Sequence, residues 1–209
     1  MLSVMTYFFD TKTLVIYSVL PQILVGVIGL IRSPKTVKAD FFVKMVLFAS
    51  IGAVAGISIF YYLPHDLFHQ LLASAITIFG LYLVASPKIV KLNNTLARIL
   101  DITAGASQAL FGISGPIAMT RLLHTFEDKT VIRNYALAFF LTLNIFRVGG
   151  YAINQTFTAQ IWEMIYISGP FIAIALWYSN HLHFHINDFY FRKVVAWVIL
   201  FGGISMLFN

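Results

Sequence analysis

Of the 209 residues, 59% are apolar and only 11% are charged, whereas an ordinary soluble domain carries roughly a quarter charged residues. This excludes a water-soluble fold in practice and predicts an integral membrane protein. The net charge of +6 does not point to nucleic acid, because the Lys and Arg residues lie at the ends of apolar stretches, where cytoplasmic membrane flanks concentrate them.

In chain order, seven stretches reach the roughly 20 residues needed to cross about 30 Å of hydrocarbon. The first, Leu14 to Ile31, follows an Asp10, Lys12 pair, with no small-residue cleavage site after a basic start and so no expected signal peptide. A basic loop with Arg32, Lys35, Lys38 and Lys44 leads into Phe41 to Tyr62, and a loop around Pro64 without Lys or Arg leads into Leu67 to Ala85. Lys88, Lys91 and Arg98 precede the fourth stretch, Ile99 to Leu123, and Arg121, Lys129 and Arg133 follow its glycine-rich centre. Val131 to Tyr151, an uncharged Ala152 to Ala159 loop, Gln160 to Tyr178, basic Arg192 and Lys193, and Val194 to Phe208 complete the chain. By the positive-inside rule the fourth stretch is basic on both flanks, so it enters and leaves on one face.

The sequence repeats itself. Shifted by 117 positions, Phe9-Asp10-Thr11-Lys12-Thr13 falls on Phe126-Glu127-Asp128-Lys129-Thr130, and Leu20, Leu24, Ile28, Gly52, Ile57 and Tyr61 fall on Leu137, Leu141, Ile145, Gly169, Ile174 and Tyr178. After a six-residue insertion Phe68, Ala73, Ile76 and Gly80 meet Phe191, Ala196, Ile199 and Gly203. Residues 1–91 and 92–209 are therefore expected to be two repeats within one membrane domain. Three crossings per repeat is an odd number, so the second copy is inverted, a recurrent plan of secondary transporters. Ile99 to Leu123 has no partner in the first repeat, and its partner is expected to lie before Met1.

Gly112-Ile113-Ser114-Gly115-Pro116 cannot continue a helix. The reading is a re-entrant hairpin; a single Pro-kinked crossing helix is the other. The expected fold is thus an all-α polytopic membrane protein with six transmembrane helices, one re-entrant hairpin over 99–123 and an inverted-topology repeat. Irregular backbone at membrane depth has to line protein or water. A helix restarting near Pro116 would aim free amides and its positive dipole end at an anion, with Ser107, Gln108 and Ser114 adding neutral hydrogen bonds. Small residues serve close packing equally well.

Gly105-Ala106-Ser107-Gln108-Ala109-Leu110-Phe111-Gly112-Ile113-Ser114-Gly115-Pro116, with Leu122-Leu123, Lys129, Arg133, Asn144 and Arg147, resembles the second signature of the sulfite exporter TauE/SafE family, and the likeness extends over nearly the whole chain. The resemblance implies a cytoplasmic-membrane permease for sulfite, sulfonates or related sulfur-containing anions, driven by an ion gradient. It also implies a second glycine-rich signature in the N-terminal half, which this chain lacks. Gln108 and Ala109 stand where the family usually has a small Ser-Gly pair.

Further polar residues fill out the candidate pathway. Arg147 lies in an apolar stretch at a cost of about 2.5 to 3.5 kcal/mol on insertion scales; it reads either as an anion-binding charge or as a side chain snorkelling outward. Asn144, three residues earlier, shares its helix face. The substrate pathway is accordingly assigned to Ser107, Gln108, Gly112, Ile113, Ser114, Gly115, Pro116, Asn144 and Arg147. Asp101 is the acidic residue nearest the hairpin and the candidate for proton coupling, with an inner-interface position as the alternative. His181, His183 and His185 read as an interfacial loop rather than a metal site, which needs three or four convergent ligands. Tyr61, Tyr62, Trp162, Tyr166, Trp177 and Tyr178 read as interfacial anchors. No enzyme dyad, metal or cofactor is called for; the expected partners are membrane lipid, a small sulfur-containing anion and a coupling ion such as the proton. A membrane scaffold without transport activity is the competing function.

Overall fold

The computed structural model describes residues 9–31, 37–85, 92–182 and 188–208, and over 176–182 and 188–195 the course of the backbone alone. The described residues are helical apart from short connections: α1 (Thr11–Tyr17), α2 (Val19–Ile31), α3 (Ala39–Tyr62), α4 (His65–Ala85), α5 (Asn94–Phe111), α6 (Gly115–Leu123), α7 (Lys129–Ile153), α8 (Ala159–Leu182) and α9 (Asp188–Leu207). Thr11–Ile31, α3, α4 and α7 are long and apolar enough to cross a membrane, and shorter apolar helices run over Ala159–Ala175 and Ala196–Leu207. This is an all-α multi-pass membrane architecture.

Polar caps move the helix starts away from the edges of the apolar stretches. Asp128 accepts the amides of Thr130 (2.7 Å) and Val131 (3.0 Å), so α7 begins two residues before the expected Val131. Asn93 accepts the Leu96 amide at 2.8 Å and starts α5 five residues before Ile99. The first stretch is interrupted at Ser18, where Pro21 has no N–H to offer the Tyr17 carbonyl one turn back. His183 and His185 lie outside the described residues, and of His181 only the backbone is described.

The described residues form two compact units, each taking helices from both halves of the sequence. One holds α1, α4, α8 and α9. In it α4 and α9 cross so closely that a Cβ on Gly80 would meet the Leu200 backbone at 2.6 Å and one on Gly203 the Thr77 backbone at 2.6 Å. His69 Nε2 bonds the Met206 carbonyl (2.9 Å) and its Nδ1 the Thr11 hydroxyl (2.7 Å), so one imidazole ties together the ends of three helices.

The other unit holds α2, α3, α5, α6 and α7. Its apolar core is built from Met45, Ala49 and Ala53 of α3, Ala104 and Ala109 of α5, Ala118 and Leu122 of α6, and Ile132, Tyr135, Phe139 and Leu143 of α7. Small residues let α3 and α5 touch: a Cβ on Gly52 would fall on the Ile102 carbonyl oxygen, and one on Gly105 on that of Ala49. Close backbone approach of this kind is how helices associate in lipid, where there is no water to expel. The helices α2 and α7 run antiparallel, with Gly26 against Leu141 and Gly29 against Leu137.

The fourth apolar stretch is not one kinked rod. Asp101 of α5 and Arg121 of α6 touch at 3.3 Å, although twenty residues of continuous helix would separate them by about 30 Å. The chain therefore turns back on itself between α5 and α6.

Candidate functional site

The turn is built from the residues that the motif supplies. Gly112 ends α5 in the left-handed conformation (φ 72°, ψ 18°) and its amide donates to the Gln108 carbonyl at 2.9 Å. Glycine adopts that conformation without steric cost. Pro116 stands in the first turn of α6, where a missing N–H deprives no helical carbonyl. Ser107 donates its hydroxyl to the Ile113 carbonyl, so one carbonyl of the break is satisfied from within α5.

Ser114 opens α6 as its N-cap residue but makes no capping bond. Its hydroxyl donates instead to Gln108 Oε1 at 2.8 Å. The Gln108 amide donates in turn to Asn144 Oδ1 (3.1 Å) on α7 and to Gln22 Oε1 (3.0 Å) on α2, and the Gln22 amide donates to the Gly112 carbonyl at 3.4 Å. Three elements thus converge on the break through one carboxamide, with both of its N–H groups and its oxygen engaged.

Arg147 closes the arrangement. Its Nη1 donates to Asn144 Oδ1 at 2.9 Å and its Nη2 to the Tyr151 hydroxyl at 3.4 Å, with the guanidinium 5.6 Å from the centre of the Tyr151 ring. It packs against the turn so tightly that a Cβ on Gly112 would lie 3.1 Å from Nη2. Its exposure is 0%: the side chain points inward and does not snorkel. Gln108, Ser114, Asn144 and Tyr151 are buried with it. Because Asn144 Oδ1 accepts from both Gln108 and Arg147, its own amide is left to donate elsewhere. On the far side of the turn, a Cβ on Gly115 would meet no heavy atom within 4 Å, so the start of α6 faces open space.

The structure therefore brings Ser107, Gln108, Gly112, Ile113, Ser114, Asn144 and Arg147 together, with Gly115 and Pro116 at the restart of the helix. Asp101 stands apart, buried against Arg121. Gln22 and Tyr151 are additions to the site. Gln22 had a signal, since it is a carboxamide inside an apolar stretch; Tyr151, at the end of its segment, had none beyond its polar tip. Of the expected anchors, Tyr62, Trp162 and Tyr166 are exposed, whereas the Tyr61 hydroxyl is engaged with Thr156 at 2.8 Å. Among the described residues no group of His, Asp or Glu is placed to hold a metal.

The family model described as Sulfite exporter TauE/SafE matches residues 1–206 of the chain. No curated protein and no solved structure matches it.

Proposed function

The chain belongs to the sulfite exporter TauE/SafE family of membrane transporters, and from that premise we propose that it carries small sulfur-containing anions, sulfite or an organosulfonate, across the cytoplasmic membrane by way of the buried site at the α5–α6 turn. The observation that carries the reading is Arg147: a wholly buried guanidinium, hydrogen-bonded to Asn144 and Tyr151 and set against a helix break beside the Gly112 turn. A full positive charge at that depth costs several kcal/mol, and it attracts a small anion. The Asn144 amide then supplies a neutral hydrogen bond, while Gln108, whose hydrogen bonds reach Asn144 and Ser114, holds the residues around it in place.

Six crossings and a re-entrant hairpin fit the same reading. The nine residues of α6 rise about 13.5 Å, under half the hydrocarbon thickness, so a chain that descends on α5 and returns on α6 turns inside the membrane. Basic residues on both flanks agree.

The inverted repeat over 1–91 and 92–209 has support in two contacts. Gly80 meets Leu200 and Gly203 meets Thr77; one shift of 123 carries Gly80 onto Gly203 and Thr77 onto Leu200. The two contacts exchange under the repeat, as a two-fold axis requires. The helices α2 and α7, matched by the shift of 117, also pack antiparallel on one another.

The test is uptake of labelled sulfite, thiosulfate and methanesulfonate into vesicles containing the purified chain, compared with Arg147→Gln. Transport of at least one anion by the wild type and its loss in the variant are expected. No flux of any of the three, with a stoichiometric protein partner retained through purification, would favour the scaffold.

A further inference from the structure

Resting on the transport reading above, we propose that Asp101 and Arg121 form a proton-operated latch across the open end of the α5–α6 hairpin, and that Asp101 is the residue through which proton binding is coupled to anion movement.

Among the described residues Asp101 is the only buried carboxylate, and no histidine is buried. The buried side chains Thr11, Gln108, Ser114, Asn134 and Asn144 are neutral and do not titrate. A coupling proton taken up inside these helices therefore has Asp101 as its carrier.

Its contact is made for release. Arg121 Nε lies 3.3 Å from Asp101 Oδ1, yet neither atom has a hydrogen-bond partner, so the two are held by charge and not by a bidentate fork. Arg121 keeps other attachments, its guanidinium 4.8 Å from the centre of the Phe41 ring and its Nη1 donating to Thr125 at 2.6 Å. When Asp101 binds one proton its negative charge is lost and the attraction to Arg121 with it, while Arg121 retains a place to rest. The pair passes from neutral to singly positive, and the charge is balanced when an anion enters.

The other charged and titratable groups on the elements packed against α5 stand elsewhere. Asp40 and Lys44 of α3 and Lys129 and Arg133 of α7 are exposed, and His124 lies beyond the end of α6. Tyr135 of α7 gives its hydroxyl to the Lys38 carbonyl, and Arg98 of α5 faces the Phe48 ring. Arg121 is the charged group that faces Asp101.

The latch and the anion site share a rigid element. Arg121 lies in the last turn of α6 and Ser114 stands at its start, bonded to Gln108, so freeing one end of this nine-residue helix moves the other against Gln108 and Arg147.

The experiment uses the full chain in vesicles with thiosulfate and methanesulfonate, whose charges do not change near neutral pH. Two rates are read: exchange at equal pH on both sides, and accumulation driven by a pH step. Asp101→Asn is expected to keep exchange within about threefold and to lose accumulation by tenfold or more. If it proves unstable, Asp101→Asn/Arg121→Gln, which leaves no charge unmatched, is read in its place. Accumulation at the wild-type level in the variant overturns the proposal, as does equal loss of both rates in a protein that still melts cooperatively, since that marks a structural role. A wild type that exchanges anions but ignores the pH step overturns the latch and leaves the transport reading standing.

Discussion

The two buried polar clusters of the α5–α6 hairpin differ in how their charge is met. At the closed end Arg147 is hydrogen-bonded to the neutral Asn144 and Tyr151; at the open end Arg121 faces a carboxylate at 3.3 Å. Taking a charge out of water costs several kcal/mol. In the second cluster the chain meets that cost itself. In the first the bonds to Asn144 and Tyr151 come from neutral groups, and in the proposed reading a small anion joins them. In the proposed reading the same hairpin holds a ligand at one end and holds itself at the other.

The sharpest way to break this contrast is at Arg147. Charge-assisted hydrogen bonds contribute about 1.5 to 3 kcal/mol each, so losing two from an anion in Arg147→Gln predicts a fall in transport of roughly a hundredfold or more. Melting should change little or rise, because a buried charge has gone. A variant that transports normally would remove Arg147 from the site and with it the asymmetry between the clusters.

Gly112→Ala tests the turn that brings Arg147 to the helix break. A Cβ there carries a penalty of about 1 to 2 kcal/mol for the left-handed conformation, and it would crowd Nη2 at 3.1 Å. Stability should fall by about that amount, and transport more steeply than stability, because the guanidinium must shift. Gly115→Ala is the internal control. Its Cβ meets nothing within 4 Å and its φ is not left-handed, so melting should stay within about 0.5 kcal/mol of wild type.

Gln22 measures how far the closed end depends on α2. It accepts from Gln108 and donates to the Gly112 carbonyl. Gln22→Leu leaves one Gln108 proton and one carbonyl without partners, a loss of about 1 kcal/mol or more. The expected result is an apparent KM raised roughly fivefold with the maximal rate little changed, since Gln22 orders the binding residues. A change in the maximal rate alone would give Gln22 a different part.

Much of this was legible in the sequence. Apolar stretches marked each membrane-length helix, and Gly112 to Pro116 marked the break, which spans 112–114 with α6 restarting at Gly115, because glycine and proline carry local backbone rules that need no tertiary context. The close of the break was not legible. Gln22 and Gln108 are 86 residues apart and meet only because α2 packs on the same unit as α5. Asp101 was read as a coupling or interfacial residue without its partner, since nothing in the order of residues pairs it with Arg121 until the hairpin turns back. Arg147 stood open between snorkelling and binding, because helix rise sets a depth but not a direction.

The smallest expected effect lies outside both clusters, at Asp10 and His65. Asp10 caps α1 through the Thr13 amide at 3.1 Å and meets His65 Nδ1 at 2.8 Å. Partial burial pushes its carboxyl up, but His65 and the Thr13 bonds outweigh that and hold it below the usual carboxylate range. A carboxyl lowered in the folded state stabilises at neutral pH, and its contribution is lost as pH falls below about 4 through the lowered value. Both side chains are well exposed, so His65→Ala should cost no more than about 1 kcal/mol and leave anion transport unchanged. The loss in melting should be present at pH 7 and smaller at pH 3. A transport defect in His65→Ala as large as that of Gln22→Leu would show that function is not confined to the hairpin and its supports.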